Sequence, residues 1–383
     1  MHINRRSFCT HAAALLFTSR RLWSQSTTHP NVAAIDHDRI LNAANRYVTQ
    51  APTPLTSLPC PRSPGTPRDF YSEPENLTPS TKLVSFTAHR DALLNFSIYV
   101  PALTAAFFIT KDERYAEQAV HHLQALLIDP ATSMTPHMNY ALTTPPAKTG
   151  APEGIIQAVH LAEVAQSIPF LSNSTSPSAT ALATLQKWFS DYLGWLNTSI
   201  MAGLARDQKS HNGTSWLLQA AACARLNPNN DAALAALRHR YKSITIRAQI
   251  NADGVFLHEL STPNPYRNSL FNLDMFSAIC MLLSTPFESL WDYALQDGPG
   301  MRIVAARFFP FIKDRDAWPY EADRLYFEDL PLRRPGLLFA ARAYDRPEYA
   351  DLWRTLPADT DIPALQRTFP IRQPLLWVTR PRP

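Results

Sequence analysis

Apolar residues recur along this chain at the three- and four-residue spacing that is typical of amphipathic helices. The pattern begins in residues 31–50, where apolar side chains from Ala33 to Val48 follow roughly helical spacing. The same spacing predicts further helices at 87–110, 112–128, 153–168, 179–199, 213–226, 230–248, 269–284, 287–296, 300–313, 335–345 and 347–354. Only 251–260 and 374–379 resemble short strands. We therefore predict an all-α protein whose eleven or twelve helices form antiparallel hairpins in a ring or arc.

Three longer stretches lack a helical pattern: 51–86, 129–152 and 249–268. The first holds eight prolines, which exclude a long helix there. Loops of this length in a compact domain are usually functional. We therefore expect the chemistry of the protein to lie in these three stretches.

Composition supports helices joined by proline-containing loops. The chain has 10 glycines and 33 prolines. Ten glycines are too few for the turns of a large β-sandwich or for the phosphate loops of a nucleotide enzyme. The helix pairs share no exact sequence repeat, which disfavours a repeat array. We therefore expect one domain over residues 27–383.

Charge and hydropathy limit the possible partners. The formal net charge is +4, from 36 basic and 32 acidic residues spread along the chain. This is a mild indication of an acidic partner such as a polyanionic sugar, and no nucleic-acid motif is present. We expect no apolar stretch to reach the roughly 18 to 20 residues that are needed to span a bilayer, so no membrane span is predicted.

The four cysteines predict no metal site and no cofactor. Cys9, Cys60, Cys223 and Cys280 match no zinc spacing. Cys223 and Cys280 lie in apolar helical runs, where buried free thiols are the simplest interpretation. The histidines likewise form no group with the spacing of metal ligands.

The N-terminus resembles an export signal. Residues 4–8 read NRRSF, similar to a twin-arginine motif, and an apolar run follows at 12–17. Residues 24–26 offer a small-x-small cleavage site. We predict a signal peptide over 1–26 and a periplasmic or secreted protein. The alternative is an ordinary disordered N-terminus.

Five segments in order resemble the motifs of the alginate-lyase-like superfamily. They are DFYSE at 69–73, DERYAEQA at 112–119, LIDPATSMTPHMNY at 127–140, KSHNGTSW at 209–216, and DG, EL and SLFNL within 253–273. The resemblance covers about residues 65–355. It implies an α/α toroid, an incomplete barrel of helix hairpins, and a polysaccharide lyase that acts on an anionic, alginate-like polymer.

Lyases of this kind cut uronate polymers by β-elimination. The C5 carboxylate must be neutralised, a base must remove the C5 proton, and an acid must protonate the leaving O4. Similar enzymes use an Asn–His pair, a Tyr and an Arg. The resemblance implies that the catalytic residues here are His211, Asn212 and Tyr266. The substrate-binding residues that it implies are Arg267, Asn139, Tyr140, Lys209 and Trp216.

Four positions depart from the family pattern. In an ungapped match, Asn212 occupies the position of the family histidine and His211 that of the second asparagine. The family arginine falls at Thr262, and the family tyrosine falls at Asn268. His211 and Asn212 could therefore form only a helix cap, and Tyr266 could be a packed aromatic in a turn.

These departures leave two alternatives to a lyase. One is an α/α-barrel hydrolase, which needs two carboxylates roughly 6.5–9.5 Å apart. The available acids are Glu153, Asp253, Glu259 and Asp274. The other is a non-catalytic protein that keeps the fold and binds saccharides. The oligomeric state is left open.

Overall fold

The structure is a computed structural model that describes residues 28–75 and 84–379. The predicted signal peptide lies outside these described residues. About 59% of the structure is helical. Within the described residues, extended backbone is limited to isolated bridges such as Tyr71 with Tyr140. The prediction of an all-α protein is therefore confirmed.

Helices follow one another along almost the whole described chain. The α-helices are α1 (Val32–Ile35), α2 (His37–Tyr47), α3 (Ala88–Thr110), α4 (Glu113–Leu123), α5 (Leu161–Leu171), α6 (Ala179–Thr198), α7 (Ile200–Arg206), α8 (His211–Leu226), α9 (Asp231–Arg240), α10 (Ile246–Gln249), α11 (Leu257–Leu260), α12 (Pro265–Leu283), α13 (Met301–Lys313), α14 (Pro335–Tyr344), α15 (Pro347–Thr355), α16 (Pro363–Gln366) and α17 (Leu375–Val378). Short 3₁₀-helices span Leu55–Ser57, Pro152–Ala158 and Arg315–Ala317, and π-helical turns span Gln124–Ile128 and Tyr241–Thr245.

The helices form two concentric layers. The inner layer consists of α3, α5, α8, α12 and α14, each of which packs against the next. Helices α8 and α12 are buried on almost every side, as expected for helices that are apolar around most of their circumference. The outer helices, among them α2, α4, α6, α9, α13 and α15, bury mainly one face against the inner layer. This alternation of inner and outer helices is the predicted α/α toroid.

Charged residues join the first and last helices of the ring. Buried Asp36, next to α2, accepts hydrogen bonds from Arg39 at 2.9 Å and from Arg333 at 2.7 Å. Buried Glu163 on α5 accepts from the backbone N–H groups of Arg372 and Gln373, which precede α17. These contacts close the ring at a seam between its N-terminal and C-terminal ends.

Helix α3 is the most apolar long helix. By length and composition alone it could cross a membrane, so the sequence expectation that no stretch would pass that test is wrong for Ala88–Thr110. In the fold, 72% of its most apolar window is buried. The helix continues through Pro101 and packs against α2, α4 and α5. Its apolar character is therefore that of a core helix.

Three local predictions are wrong. The segment 287–296, predicted to be helical, forms turns, because Thr285 Oγ1 and Ser284 Oγ accept hydrogen bonds from nearby backbone N–H groups. The segment 251–260, predicted as a strand, holds one bridge followed by α11, and 374–379 contains helix α17. The spacing of apolar residues in 287–296 does not show that Ser284 and Thr285 accept these hydrogen bonds.

The start of α12 lies four residues earlier than predicted, at Pro265 instead of 269. The carboxylate of Asp323 accepts hydrogen bonds from the backbone N–H groups of Tyr266 at 2.8 Å and Arg267 at 3.0 Å. Backbone N–H groups in the first turn of a helix have no partner within the helix. Asp323, 56 residues along the chain from Arg267, provides the acceptor for two of them. This extra turn fixes the position of both candidate residues.

Because His122 is buried, we expect the folded protein to lose stability in acid. Its ring packs edge-on against Tyr99, with 5.5 Å between ring centroids. Burial, with a smaller contribution from His121, lowers the pKa of His122 from 6.5 to about 4. Because the unfolded chain takes up this proton more readily, stability should fall as the pH drops below about 6.5, by about 3 kcal/mol once the pH is below 4.

Urea unfolding across this pH range would measure the effect. His122→Phe, which keeps an aromatic ring without a titrating group, should reduce the loss of stability in acid. His239→Gln changes an exposed histidine and should leave the loss as it is. Identical acid profiles for the wild type and His122→Phe would contradict the prediction.

Candidate active site

Helices α8 and α12 pack against each other in the inner layer, and the start of α8 contacts the first half of α12 through His211 and Phe271. The chain enters α8 through a tight turn at Gln208–Ser210 that only glycine at position 213 permits. A Cβ on Gly213 would lie 2.2 Å from the carbonyl oxygen of Gln208. The turn brings His211 and Asn212 to the helix start, where their side chains leave in different directions.

His211 forms a two-point contact with a buried carboxylate. Its backbone N–H donates to Glu259 Oε1 at 2.7 Å, and its ring Nδ1 lies 2.6 Å from Glu259 Oε2. The Glu259 side chain is 0% exposed, whereas that of His211 is 20% exposed. Because an ionised carboxylate only accepts, the ring proton belongs on Nδ1. This tautomer leaves Nε2 as a proton acceptor, and no described residue forms a hydrogen bond with it.

A closed set of hydrogen bonds holds Glu259 in place. Asn272 on α12 donates to Glu259 Oε1 at 3.4 Å and to Gln249 Oε1 at 3.1 Å. Gln249 in turn donates to the backbone oxygen of Ser210 at 2.7 Å, next to His211. The orientation of the imidazole is therefore fixed by groups from α8, α10, α11 and α12, as expected for a functional side chain.

Asn212 turns away from this carboxylate. It is buried, and its amide donates to Gln208 Oε1 at 2.8 Å. Gln208 donates onward to Glu153 Oε1 at 2.7 Å, on the 3₁₀-helix Pro152–Ala158. The second amide hydrogen of Asn212 has no bond within the described residues.

The two positions that the family occupies with arginine and tyrosine carry small polar groups. Asn268 donates to Thr262 Oγ1 at 3.0 Å, and Thr262 donates to the backbone oxygen of Glu259 at 2.7 Å. The two positions are therefore neighbours in space, beside the histidine–glutamate pair. Neither side chain carries a charge or a proton that can be transferred near neutral pH.

Arg267 brings a positive charge to the same end of α12. It is only 9% exposed, and its Nη2 donates to Asn264 Oδ1 at 2.7 Å when that amide is oriented with its oxygen toward the guanidinium. Its Nε and Nη1 have no partner within the described residues. Burial lowers the pKa of Arg267, the nearby Asp323 carboxylate acts in the opposite direction, and Arg334 and Arg367 add to the lowering. An arginine held this way is ready to bind an anion.

Arg267 lies one helical turn from the histidine. Phe271, four residues further along α12, packs against His211 with 5.9 Å between ring centroids. Residues four apart on a helix share a face, about 6 Å from one another. The guanidinium of Arg267 and the imidazole of His211 therefore lie on the same side of α12.

Tyr266 does not join this group, which corrects the expectation that it is catalytic. Its side chain is 0% exposed, and its hydroxyl donates to the backbone oxygen of Phe311 at 2.8 Å. The ring packs against Trp318 and Phe327. Burial raises the pKa of Tyr266, which opposes any role as a base. Tyr266 thus lies apart from His211 and Arg267, and its hydroxyl serves the core.

Tyr266→Phe should therefore affect stability more than activity. Removing the hydroxyl leaves the buried oxygen of Phe311 without its partner, at a cost of about 1–3 kcal/mol. We expect the variant to have a lower midpoint of thermal unfolding and a nearly unchanged kcat on any substrate that the wild type cleaves. A kcat reduced a hundredfold or more with full stability would restore Tyr266 as a catalytic candidate.

Asn139 and Tyr140 lie on the neighbouring 129–152 loop. Asn139 Oδ1 accepts a hydrogen bond from Trp195 Nε1 at 2.8 Å. Tyr140 is half-buried, and its ring lies edge-on to His137 at 5.9 Å between centroids, close to Gly65. The loop is linked to the 150–158 segment, and Tyr140 remains a candidate for contact with substrate.

Lys209 and Trp216 differ in what they can do. Lys209 is exposed on the turn before α8, where it can meet an anionic polymer. Trp216 is buried, donates from Nε1 to the oxygen of Leu196 at 2.9 Å, and has Arg206 and Arg240 against its ring. It is a packing residue between α6, α7 and α9, which corrects the expectation that it binds substrate.

No group of three or more His, Cys, Asp or Glu side chains that could hold a metal ion occurs within residues 28–75 and 84–379. Cys223 and Cys280 are buried free thiols, as predicted. The role of Glu259 as the partner of the histidine did not emerge from the sequence, although the E-L motif places an acidic residue among the ordered family segments.

The ring of helix pairs carries a fixed proton acceptor and an arginine with two nitrogens that lack partners among the described residues. Together these features define an α/α toroid equipped to act on an anionic ligand. Comparison with known proteins identifies the family.

The sequence model of the family Alginate lyase matches residues 25–318, and the chain belongs to that family. It is therefore a polysaccharide lyase. The structure of an alginate lyase from Bacteroides ovatus is similar, with a TM-score of 0.77 and 21% identity over 91% of this chain and 94% of that one. Alginate lyase A1-III from Sphingomonas species A1 gives a TM-score of 0.58 and 13% identity over 94% and 99%. Among curated protein sequences, none matches the chain. At these identities the structural similarity shows the fold.

Proposed function

We propose that this protein cleaves an alginate-like polyuronate by β-elimination, with His211 as the base. The observation that supports this most is the contact of His211 Nδ1 with buried Glu259 at 2.6 Å. The carboxylate fixes the tautomer and stabilises the positive charge that forms when Nε2 takes a proton. Nε2 would then accept the C5 proton of the uronate.

Arg267 is proposed to neutralise the C5 carboxylate. Its Nε and Nη1 are buried without partners within the described residues, so the guanidinium keeps N–H donors that can bind a carboxylate. Neutralising that carboxylate lowers the cost of forming a carbanion at C5. The unused amide hydrogen of Asn212, exposed Lys209 and the loop residues Asn139 and Tyr140 would bind the polymer around this point.

The same geometry disfavours hydrolysis. An inverting glycosidase needs two carboxylates that face the bond. Glu259 is fully buried and bound by His211 and Asn272. Asp274 is fully buried and paired with Arg334 at 3.1 Å. The remaining acids, Glu153 and Asp253, are exposed in different segments.

The test is an absorbance assay with purified protein on a panel of polyuronates, including both uronate blocks of alginate. Elimination leaves a C4–C5 double bond in the product, which absorbs in the ultraviolet. We expect an absorbance rise on at least one polyuronate, matched by new reducing ends. New reducing ends without absorbance would show a hydrolase, and binding without either would show a non-catalytic saccharide-binding protein.

We also propose that residues 1–26 direct export and that residues 27–383 form one domain. The arginine pair in NRRSF and the apolar run after it support this proposal. An exported lyase would meet its polymer outside the cytoplasm. Fractionation of cells that express the full chain, compared with a variant in which both Arg5 and Arg6 are lysine, would test it.

A further inference from the structure

A cavity lies at the seam where the two ends of the ring meet. Its wall combines residues of α2, from Arg39 to Tyr47, with Ile98 of α3 and the C-terminal segment 358–373. The cavity has a volume of about 80 Å³, whereas a single water needs roughly 10–15 Å³. This seam cavity therefore has room for a small ligand, and no residue of the candidate active site lines it.

Arg372, on the wall of the seam cavity, donates only to uncharged acceptors. Its Nη1 donates to the ring Nδ1 of His160 at 3.4 Å, and its Nη2 donates to the backbone oxygen of Gln366. The imidazole is neutral, because burial and the charge of Arg372 hold the pKa of His160 well below its ordinary value. Glu163 is bound by the backbone N–H groups of Arg372 and Gln373, and no carboxylate of the described residues forms an ion pair with the guanidinium.

The charge of Arg372 is therefore incompletely compensated. Burial lowers the pKa of its guanidinium to about 10, and Glu163 acts in the opposite direction without cancelling the effect. A guanidinium has five N–H donors, and the described residues provide acceptors for two of them. Because a buried charge without an ionic partner is unfavourable, an anion in the cavity would be bound favourably.

Two further buried side chains of the wall carry unused donors. Gln373 is 3% exposed, and its Oε1 accepts a hydrogen bond from Arg39 Nη2 at 3.3 Å. This leaves the amide N–H groups of Gln373 without an acceptor within residues 28–75 and 84–379. The Nε of Arg39 is likewise buried without a partner in the described part of the chain. N–H donors are thus available to a ligand at the point where α2 meets the C-terminal segment.

The other charged residues of the wall leave an excess of positive charge. Asp359 is paired with Arg39 at 3.3 Å. Exposed Arg46, in the last turn of α2, and exposed Asp361 form no ion pair with another described residue. Together with Arg372, the cavity therefore has two unpaired cations and one unpaired carboxylate.

We propose that the seam cavity is a binding site for a small oxyanion, a carboxylate or a phosphate, held by Arg372, Arg46 and the amide of Gln373. Both kinds of oxyanion accept several charge-assisted hydrogen bonds, which is the chemistry that a guanidinium recognises. The ligand contacts α2 at one end of the ring and segment 372–373 at the other. Its binding therefore stabilises the closed ring, and it is independent of the proposed lyase activity.

Calorimetric titration at constant ionic strength tests the proposal. The probes are inorganic phosphate and glucuronate, and glucose is the neutral comparison. We expect saturable binding of phosphate, of glucuronate or of both, and none of glucose. Binding of phosphate alone would assign the site to phosphates, and binding of glucuronate alone would assign it to carboxylates.

Arg46→Gln is the test variant, because Arg46 is exposed and supports no ion pair of the fold. It should weaken binding by about 10–100-fold, the effect of losing one hydrogen bond to a charged group. The midpoint of thermal unfolding should rise with probe concentration in the wild type, and less so in Arg46→Gln, since a ligand that binds only the folded state stabilises it.

Two control variants should bind the probes as the wild type does. Arg247→Gln removes an exposed arginine of α10 that pairs with Asp297. Arg267→Met lacks the arginine of the candidate active site but keeps the whole wall of the seam cavity.

Four results would overturn the inference: no saturable binding of either charged probe, equal affinity in the wild type and Arg46→Gln, glucose binding as tight as that of the charged probes, or loss of binding in Arg267→Met. The last result would place the anion in the active site. None of the four bears on whether the wild type eliminates a polyuronate, so this inference and the lyase proposal fail separately.

Discussion

Replacing His211 with alanine should lower the kcat of polyuronate elimination by about 10²–10⁴-fold, the usual contribution of a positioned general base. The reason is that Nε2 is the accepting nitrogen that Glu259, fully buried at 2.6 Å from Nδ1, prepares for this task. The rate of the ultraviolet absorbance rise under saturating substrate measures the effect.

Two further variants separate catalysis from helix capping. Glu259→Gln should also lose most activity, because an amide no longer stabilises the imidazolium or fixes its tautomer. His258→Ala changes an exposed neighbour and should retain wild-type rates. If His211→Ala keeps more than half of the wild-type kcat, His211 serves only the start of α8.

Replacing Arg267 with methionine should separate activity from stability. We expect kcat/KM to fall by about 10²–10³-fold, since a charge that stabilises the transition state is removed. Unfolding by urea should show unchanged or greater stability, because the variant no longer buries a guanidinium with two unpartnered nitrogens. Steady-state kinetics and urea unfolding on the same preparation provide both measurements.

Arg302→Met is the matched control. Arg302 is an exposed arginine of α13 that pairs with Asp292, so its removal should change neither kcat/KM nor stability by much. A large loss of stability in Arg267→Met would show that the arginine supports the fold. An unchanged kcat/KM would exclude it from substrate binding.

The ring of helices could be predicted from sequence because its signal is distributed over hundreds of residues. Each inner helix repeats apolar residues over many turns, so errors at single positions do not change the result. The local predictions failed where a side chain that accepts hydrogen bonds from backbone N–H groups determines the local structure. Asp323 extends α12 by a full turn, and Ser284 and Thr285 replace a predicted helix with turns.

The candidate site was harder to predict, because its members depend on directions that a sequence does not contain. The motif drew attention to His211 but did not reveal Glu259 as its partner. Tyr266 and Arg267 are adjacent in sequence, but neighbours on a helix point about 100° apart. Tyr266 faces Phe311 in the core, whereas Arg267 faces the side of α12 that contacts His211.

The seam of the toroid has a consequence for the order of folding. Its contacts join residues far apart in sequence: Asp36 and Arg333 are separated by 297 positions, and Glu163 and Arg372 by 209. Contacts this distant carry a large loop-closure cost and form late. Helices α8 to α12 span a much shorter stretch of chain. We therefore expect the His211–Glu259 region to fold first, as part of an open arc of helices. The C-terminal segment then forms the seam contacts and closes the ring in the last step of folding.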